Sequence, residues 1–487
     1  MEPTVIRWVV FGGYLLLMLV IGEVAARRKV RSLDDYLLAG RQHGVWITAG
    51  SLAATAIGAG STLGAAGVAY YVGLSAGWYL WSAGVGLLLL GLTLGPVLRR
   101  RAVYTVPEFI ARRYGPAAGR LATVLALVGL VLFLGVQLLA LGAVVAQMTG
   151  WSVQMGIVLA GLVVIVYSVR GGIWAVHWTD NVQLVWIVVG FLTLVVVGLR
   201  SVGGLTALDG PPAARGFEEL GPAWLNPLTR RPVSGWDVFA LGSTVVAWVI
   251  MSTTWHVTMQ STVQRVLATR DPATARWACG VAALVLVPLG ALVALAGMVA
   301  RRLYPGLAPT GTVEQIRALP ALVEGLLDPV LGGVVLAALA AAVMSTCDSV
   351  LLGAATVVIR DLAVGWGRND LQGLRRSRGL TAVLGGIAVG CALVLPGLVR
   401  TLEMVAAVYC VALFVPMLLG VYWRRATRRG AIASMVTGGL AGLLWRGLEM
   451  EALTGVHMLT VALPASLAAA WVGSLGGDRR SSRDPQG

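Results

Sequence analysis

SLAATAIGAGSTLGAAGVA, residues 51–69, lies inside an apolar segment long enough to cross a bilayer. It carries Gly58, Gly60, Gly64 and Gly67, with Thr55, Ser61 and Thr62 between them. A glycine costs a helix interior about 1 kcal/mol against alanine, and a lipid-facing helix has no need of that composition. Non-helical backbone survives at membrane depth only where it is buried in protein or lines a wet cavity. One reading is therefore a helix broken near mid-membrane, its freed carbonyls and amides turned toward a site, as ion-coupled transporters use. The other is a small-residue helix–helix contact. The stretch alone is compatible with both.

The surrounding chain is that of a membrane protein. Its 487 residues are 57% hydrophobic and 12% charged, and apolar runs of about 20 residues recur along it. The formal charge of +15 could suggest nucleic acid, but the charges sit in short tracts between apolar runs, which argues against that partner. Lys29 is the single lysine among the basic residues. Cys279, Cys347, Cys391 and Cys410 include no pair at metal spacing, so neither a disulfide framework nor a zinc site is implied. VVFGGYLLLMLVIGEVAA (9–26) has only Arg7 before it, whereas Arg27, Arg28, Lys29 and Arg31 follow it. A signal peptide has the opposite polarity, so an uncleaved first span with its N-terminus outside is expected.

Thirteen spans are expected: 5–24, 45–69, 75–97, 120–148, 152–169, 181–199, 236–257, 277–300, 329–357, 380–398, 402–423, 430–447 and 457–475. Starting outside, they leave the C-terminus in the cytoplasm. Most basic residues then fall in inner loops, among them Arg99 to Arg101, Arg112, Arg113, Arg170, Arg265, Arg270, Arg276, Arg375, Arg376 and Arg378. That is the retention of positive charge on the inner face, which supports this orientation; the membrane expected is the cell membrane. The outer loops are 200–235, with a turn at Pro211–Pro212, and 303–328, where VEQIRALPALVEGL reads as a short amphipathic helix. Spans two to six and seven to eleven form halves of five crossings each. Five is odd, so the halves would be inverted relative to one another. The domains expected are an extra N-terminal helix and first loop (1–44), a first repeat (45–200), an external loop (201–235), a second repeat (236–424) and two C-terminal helices with a short tail (425–487). In the second repeat, 236–257 corresponds to the broken span and carries Gly242, Ser243, Thr244, Ser252, Thr253 and Thr254.

The strongest local pattern is AAAVMSTCDS, 340–349. On a helix, Ala342, Ser345, Thr346 and Ser349 share one face. Two adjacent hydroxyls, with carbonyls of an unwound helix, could give a hard cation such as sodium about five neutral oxygens. Hydroxyls bonded back to their own preceding turn are the alternative. A carboxylate inside a span costs at least about 2.5 kcal/mol at the bilayer centre, which makes Asp348 a candidate near an inner mouth. Asp180 stands at the start of a span, either as a helix cap favoured by the dipole or as an acid on an exit route for the ion. Of His43, His177, His256 and His457, only His256 falls beside the expected cavity. No catalytic triad, phosphate loop, ATP motif or metal-ligand cluster is visible, so an enzyme is not expected.

Six segments in order resemble the sodium:solute symporter family, which includes sodium-coupled sugar, proline and pantothenate transporters. They are DDYLLAGR (34–41), AATAIGAGSTLGAAGVAY (53–70), TVPEFIARRYG (105–115), RGGIWAVHWTDNVQ (170–183), QRVLATRD (264–271) and AALAAAVMSTCDS (337–349). The resemblance implies an all-α fold with a 5+5 inverted-repeat core like the bacterial leucine transporter. It implies Na+ as coupling ion, held by backbone carbonyls of Ala54 and Ile57 and by Ala342, Ser345 and Thr346. It also implies that Asp180 serves ion release to the cytoplasm.

For the solute, the resemblance points to Gly58, Gly60 and Ser61 at the break, to Ser252 and to Trp255 as an aromatic gate. Sugar-transporting members carry glutamine at the position of Ser61 and asparagine at that of Ser252, and proline transporters carry aspartate at that of Ala56. Their absence disfavours a sugar and proline. Backbone amides at a helix N-terminus favour anionic groups, which points to a small carboxylate or zwitterion. The implied function is a symporter importing a small organic solute by alternating access, with no obligate protein partner. The rival readings are a proton-coupled symporter, with Asp180 or Asp348 as carrier, and a membrane sensor that binds solute without moving it.

Overall fold

The computed structural model describes residues 3–208, 244–305, 307, 318–363, 371–395, 398–454 and 456–475. The loop from 209, the opening of the seventh expected span with Gly242 and Ser243, the first half of VEQIRALPALVEGL and the tail from 476 lie outside them. Among the described residues the chain is helical and contains no strand, only one isolated bridge between His43 and Thr269.

The helices begin where short polar tracts supply caps. After α1 (Pro3–Lys29), Ser32 caps α2 (Leu33–Leu38) in a reciprocal box with Asp35. The broken pair is α3 (Val45–Ala56) and α4 (Ala65–Val72), followed by α5 (Trp78–Leu92) and α6 (Leu94–Arg100). Thr105 caps α7 (Val106–Tyr114), and α8 spans Pro116–Thr149. Then come α9 (Val153–Val202), α10 (Thr244–Thr258) and α11 (Gln260–Leu267). Asp271 caps α12 (Pro272–Leu303) through the Thr274 amide, and α13 covers Ala318–Leu326. Asp328 caps α14 (Pro329–Val357), with Pro329 at the first helical position. The remainder are α15 (Leu371–Val394), α16 (Leu398–Val405), α17 (Ala412–Tyr422), α18 (Arg428–Gly447), α19 (Met450–Thr454) and α20 (Met458–Leu475).

Eight described helices are long and apolar enough to cross a membrane, and the bent α3–α4 pair makes a ninth. The sequence expects thirteen, and the difference has local causes. The 50-residue α9 carries two expected spans at once. At 1.5 Å per residue it would reach ~75 Å, more than twice a bilayer core. It bends at Gly172, where φ is 54° and ψ is −148°. A Cβ there would lie 2.4 Å from the Tyr36 carbonyl oxygen, so both torsion and space demand glycine. Gly172→Ala is therefore expected to destabilise the protein by at least ~1–2 kcal/mol, read as a lower thermal midpoint in detergent. Elsewhere, α10 is described only from Thr244, a π-helical turn, Ala406–Val411, interrupts the span of α16 and α17, and the 20-residue α18, rich in glycine, is less apolar than the spans counted.

At the centre stands α14, buried from Val335 through Val357. A helix that is apolar or small all round belongs in the interior, and α1, α3, α8, α9 and α15 surround this one. The expected amphipathic helix appears as α13, burying Leu319, Leu322 and Val323 at helical spacing. One expectation fails: the inner loop taken to hold Arg265 is in fact α11, all eight of whose residues are buried.

Candidate cation and solute site

The α3 helix stops at Ala56. Residues 57–59 are not helical, and Gly60–Gly64 form a π-helical turn leading into α4. The two halves meet at 63°. What bends them is close approach by neighbours: a Cβ on Gly58 would lie 2.4 Å from Gln137 Nε2 and 3.0 Å from Thr346 Oγ1, and one on Gly60 2.6 Å from the Tyr79 hydroxyl. The freed backbone groups are answered by side chains, as low dielectric requires. Gly58 N–H donates to Ser61 Oγ at 2.8 Å, Ala59 N–H to Gln137 Oε1 at 3.4 Å, and Thr62 Oγ1 to the Gly58 carbonyl at 2.8 Å. The Ser61 hydroxyl also lies 3.1 Å from the carbonyls of both Ala56 and Gly58.

Against this break α14 sets its hydroxyl face. Ser345 Oγ is 3.0 Å from the Ala54 carbonyl and 2.9 Å from that of Ala342. Thr346 Oγ1 is 3.2 Å from the Thr55 carbonyl and 3.4 Å from that of Ala342. These hydroxyls thus bond back to their own turn, as the alternative sequence reading has it, and also reach across to carbonyls of α3. Ile57 adjoins the group through its N–H, 3.1 Å from the Ala54 carbonyl. Ala54, Ala342 and Ser345 are buried. The result is a cluster of neutral oxygens, hydroxyls and carbonyls, joined by hydrogen bonds of 2.9–3.4 Å within α14 and between α14 and α3. The Thr55 carbonyl joins it and was not anticipated from sequence.

Of the solute candidates, Gly58, Gly60 and Ser61 belong to the break itself. Ser61 is buried at the turn itself. Tyr79, over Gly60, packs edge-on against Trp248 of α10 at 5.9 Å between ring centroids. Trp255 packs edge-on against Phe133 of α8 at 4.9 Å. Ser252 is directed elsewhere: its hydroxyl is 2.8 Å from that of Ser82 on α5. Gln137 and Phe133 were missed because each is a lone polar or aromatic residue in a long apolar run, and Tyr79 because it is one of three aromatics in GWYLWS (77–82) that read as an ordinary span end. The Gly58 geometry makes a test. Gly58→Ala pushes a methyl into Gln137 and toward Thr346, and is expected to lower sodium-dependent uptake at least ~10-fold, one misplaced contact at a positioned site being worth more than that. Adding Gln137→Ala should restore part of it.

Asp180 is not at a helix start but two turns beyond the Gly172 bend, fully buried. Arg265 of α11, itself 1% exposed, pairs with it at 2.7 Å. Ser51 of α3 bridges the two, donating to Asp180 at 2.5 Å and accepting from Arg265 Nε at 2.7 Å. Arg265 also donates to the Ser261 carbonyl at 2.7 Å and to Ser349 Oγ on α14. Ser349 in turn is 2.9 Å from Asp348 Oδ1, and the Tyr167 hydroxyl donates to Asp348 Oδ2 at 2.8 Å. Thr55 Oγ1, 3.3 Å from Ser349 Oγ, links this network to the oxygen cluster.

The model of the sodium:solute symporter family matches residues 36–438. The chain belongs to that family. It is 27% identical to the sodium/glucose cotransporter of Vibrio parahaemolyticus, over 88% of this chain and 82% of that one. It is likewise 27% identical to the sodium/pantothenate symporter of Escherichia coli K12, over 95% of both. In structure it is similar to a Na+-coupled sialic acid symporter solved substrate-bound and outward-open, with a TM-score of 0.79 and 18% identity over 96% of this chain and 97% of that one. A nucleobase–cation-symport-1 family transporter, solved closed with a hydantoin bound, matches at 0.56 with 16% identity, over 90% of this chain and 93% of that one. This symporter-family chain is a multi-pass membrane protein of transporter type, and Na+ is the coupling ion.

Proposed function

We propose that the protein imports a small organic solute into the cell by alternating access, driven by sodium held at Ala54, Ile57, Ala342, Ser345 and Thr346. The observation that carries this reading is the neutral oxygen cluster joining the broken α3 to α14. A cation there replaces hydroxyl-to-carbonyl hydrogen bonds with ion–oxygen contacts, so its binding ties the two helices and sets the break. Solute then binds beside Gly58, Gly60, Ser61 and Trp255, with Tyr79, Phe133 and Gln137 around it and Ser252 behind. Sodium leaves past Asp180. One charge crossing ~100 mV supplies ~2.3 kcal/mol and a tenfold sodium gradient ~1.4 kcal/mol. For a zwitterion these together hold one solute per sodium about 500-fold concentrated, whereas for a carboxylate the two charges cancel and about tenfold remains.

Within this reading the N-terminus is outside and the C-terminus cytoplasmic, with repeats over 45–200 and 236–424. The solute is a small carboxylate or zwitterion rather than a sugar or proline. Ser61 in place of a longer amide leaves little side-chain hydrogen bonding for a polyol, and backbone amides at a helix N-terminus favour an anionic group.

The test is a sodium-dependent thermal-shift screen of small metabolites on purified protein, then uptake of each stabilising compound into proteoliposomes. Uptake that follows the sodium gradient is the outcome expected. Uptake driven by a pH gradient in sodium-free buffer would replace sodium by protons in the scheme. A stabilising ligand with no flux would make the protein a sensor.

A further inference from the structure

Apart from the central site, the described residues contain a cleft of about 480 Å³ between the C-terminal end of α1, the bend of α9 and the start of α15. Its walls carry three guanidinium groups, Arg27, Arg170 and Arg378, and its apolar side is Val30, Leu371 and Leu374. One carboxylate answers them. Glu23 holds Arg27 at 2.5 Å and Arg170 at 2.7 Å. Arg378 donates to the Arg170 carbonyl at 2.8 Å, while its Nε is buried with no partner. Among the described residues three positive charges face one negative here, beside apolar side chains with Leu371 68% exposed. Guanidinium groups beside exposed hydrocarbon in one cleft suit a lipid headgroup and its upper chain, and basic pockets between membrane helices on the cytoplasmic side bind such headgroups.

We propose that this cleft binds an anionic phospholipid, its phosphate between Arg27, Arg170 and Arg378 and its glycerol and upper acyl carbons against Val30, Leu371 and Leu374. The leaflet follows from the orientation adopted under Proposed function and is the inner one; binding itself does not depend on that orientation. The site joins α1, which lies outside the repeats, to α9 at its bend and to α15. A lipid there would brace the bend of the helix that carries Asp180.

Native mass spectrometry of the purified chain with phosphatidylglycerol, phosphatidylcholine and soluble glycerol 3-phosphate reads this without reference to transport or leaflet. Phosphatidylglycerol adducts should exceed phosphatidylcholine adducts. They should weaken about fivefold for each arginine removed in Arg27→Gln with Arg170→Gln, with Glu23, then unpaired, acting in the same direction. Leu371→Glu, at an exposed position, should weaken them without touching an arginine and so guards against misfolding of the double variant. Sodium-dependent thermal stabilisation should persist in every variant. Equal binding of the two lipids, or adducts unchanged in both Leu371→Glu and the arginine variant, would overturn the proposal. Glycerol 3-phosphate binding as tightly as the lipid would overturn it too, by making the cleft a soluble-anion site.

Discussion

Replacing Ser345 and Thr346 together with alanine is expected to raise the sodium concentration for half-maximal uptake by about 100-fold or more. Hydrogen-bond-like contacts to a charged group are worth ~1.5–3 kcal/mol each, and two at the low end amount to a factor of about 150. The fold should tolerate the change. The Ala54 carbonyl keeps the Ile57 N–H at 3.1 Å, and Ala342, Ser345 and Thr346 stay inside a continuous helix. Thr346→Ser preserves the oxygen and should cost far less than Thr346→Ala. Uptake against varied sodium, with a thermal midpoint for each variant, separates two outcomes. If the hydroxyls only brace α3 against α14, stability falls while the sodium dependence stays where it was. An unchanged half-saturation in the double variant would remove the cation from this position.

These hydroxyls were legible in the sequence for a simple reason. Ser345 and Thr346 fall with Ala342 at i, i+3 and i+4, so helical periodicity alone puts them on one face. The break was legible only as one of two readings: four glycines and three hydroxyl residues in a span have no lipid-facing use, but they suit a small-residue helix contact equally well. Arg265 was not. An arginine between apolar segments reads as a loop charge, and nothing local marks α11 as buried. Its partner Asp180 is 85 residues away, and a pairing at that distance is set by how α3, α9 and α14 pack. The α9 run misleads in the opposite sense: Asp180 reads as the start of a span because the bend at Gly172, eight residues earlier, keeps helical hydrogen bonding on both sides.

Arg265→Ala is expected to be the most damaging single substitution of the network, at about 3–5 kcal/mol, the cost of leaving one partner of a buried ion pair alone. Two carboxylates are affected. Asp180 loses its guanidinium directly, and Asp348 loses it through Ser349. Asp180→Asn leaves a cation that still has Ser51, Ser349 and the Ser261 carbonyl, so it should cost less. Asp180→Asn with Arg265→Gln removes both charges of the pair and should recover part of the stability, the rest staying lost because Asp348 is still without the guanidinium. That double variant then isolates the functional question. The pair ties α9 and α11 to α3 at Ser51 and to α14 at Ser349, the two helices that share the oxygen cluster. If Asp180 eases sodium out, the double variant binds sodium normally, by thermal shift, but turns over more slowly under saturating sodium. If the pair is scaffolding alone, turnover returns with stability. An Arg265→Ala protein as stable as its parent would show that the pair contributes little to holding the four helices together.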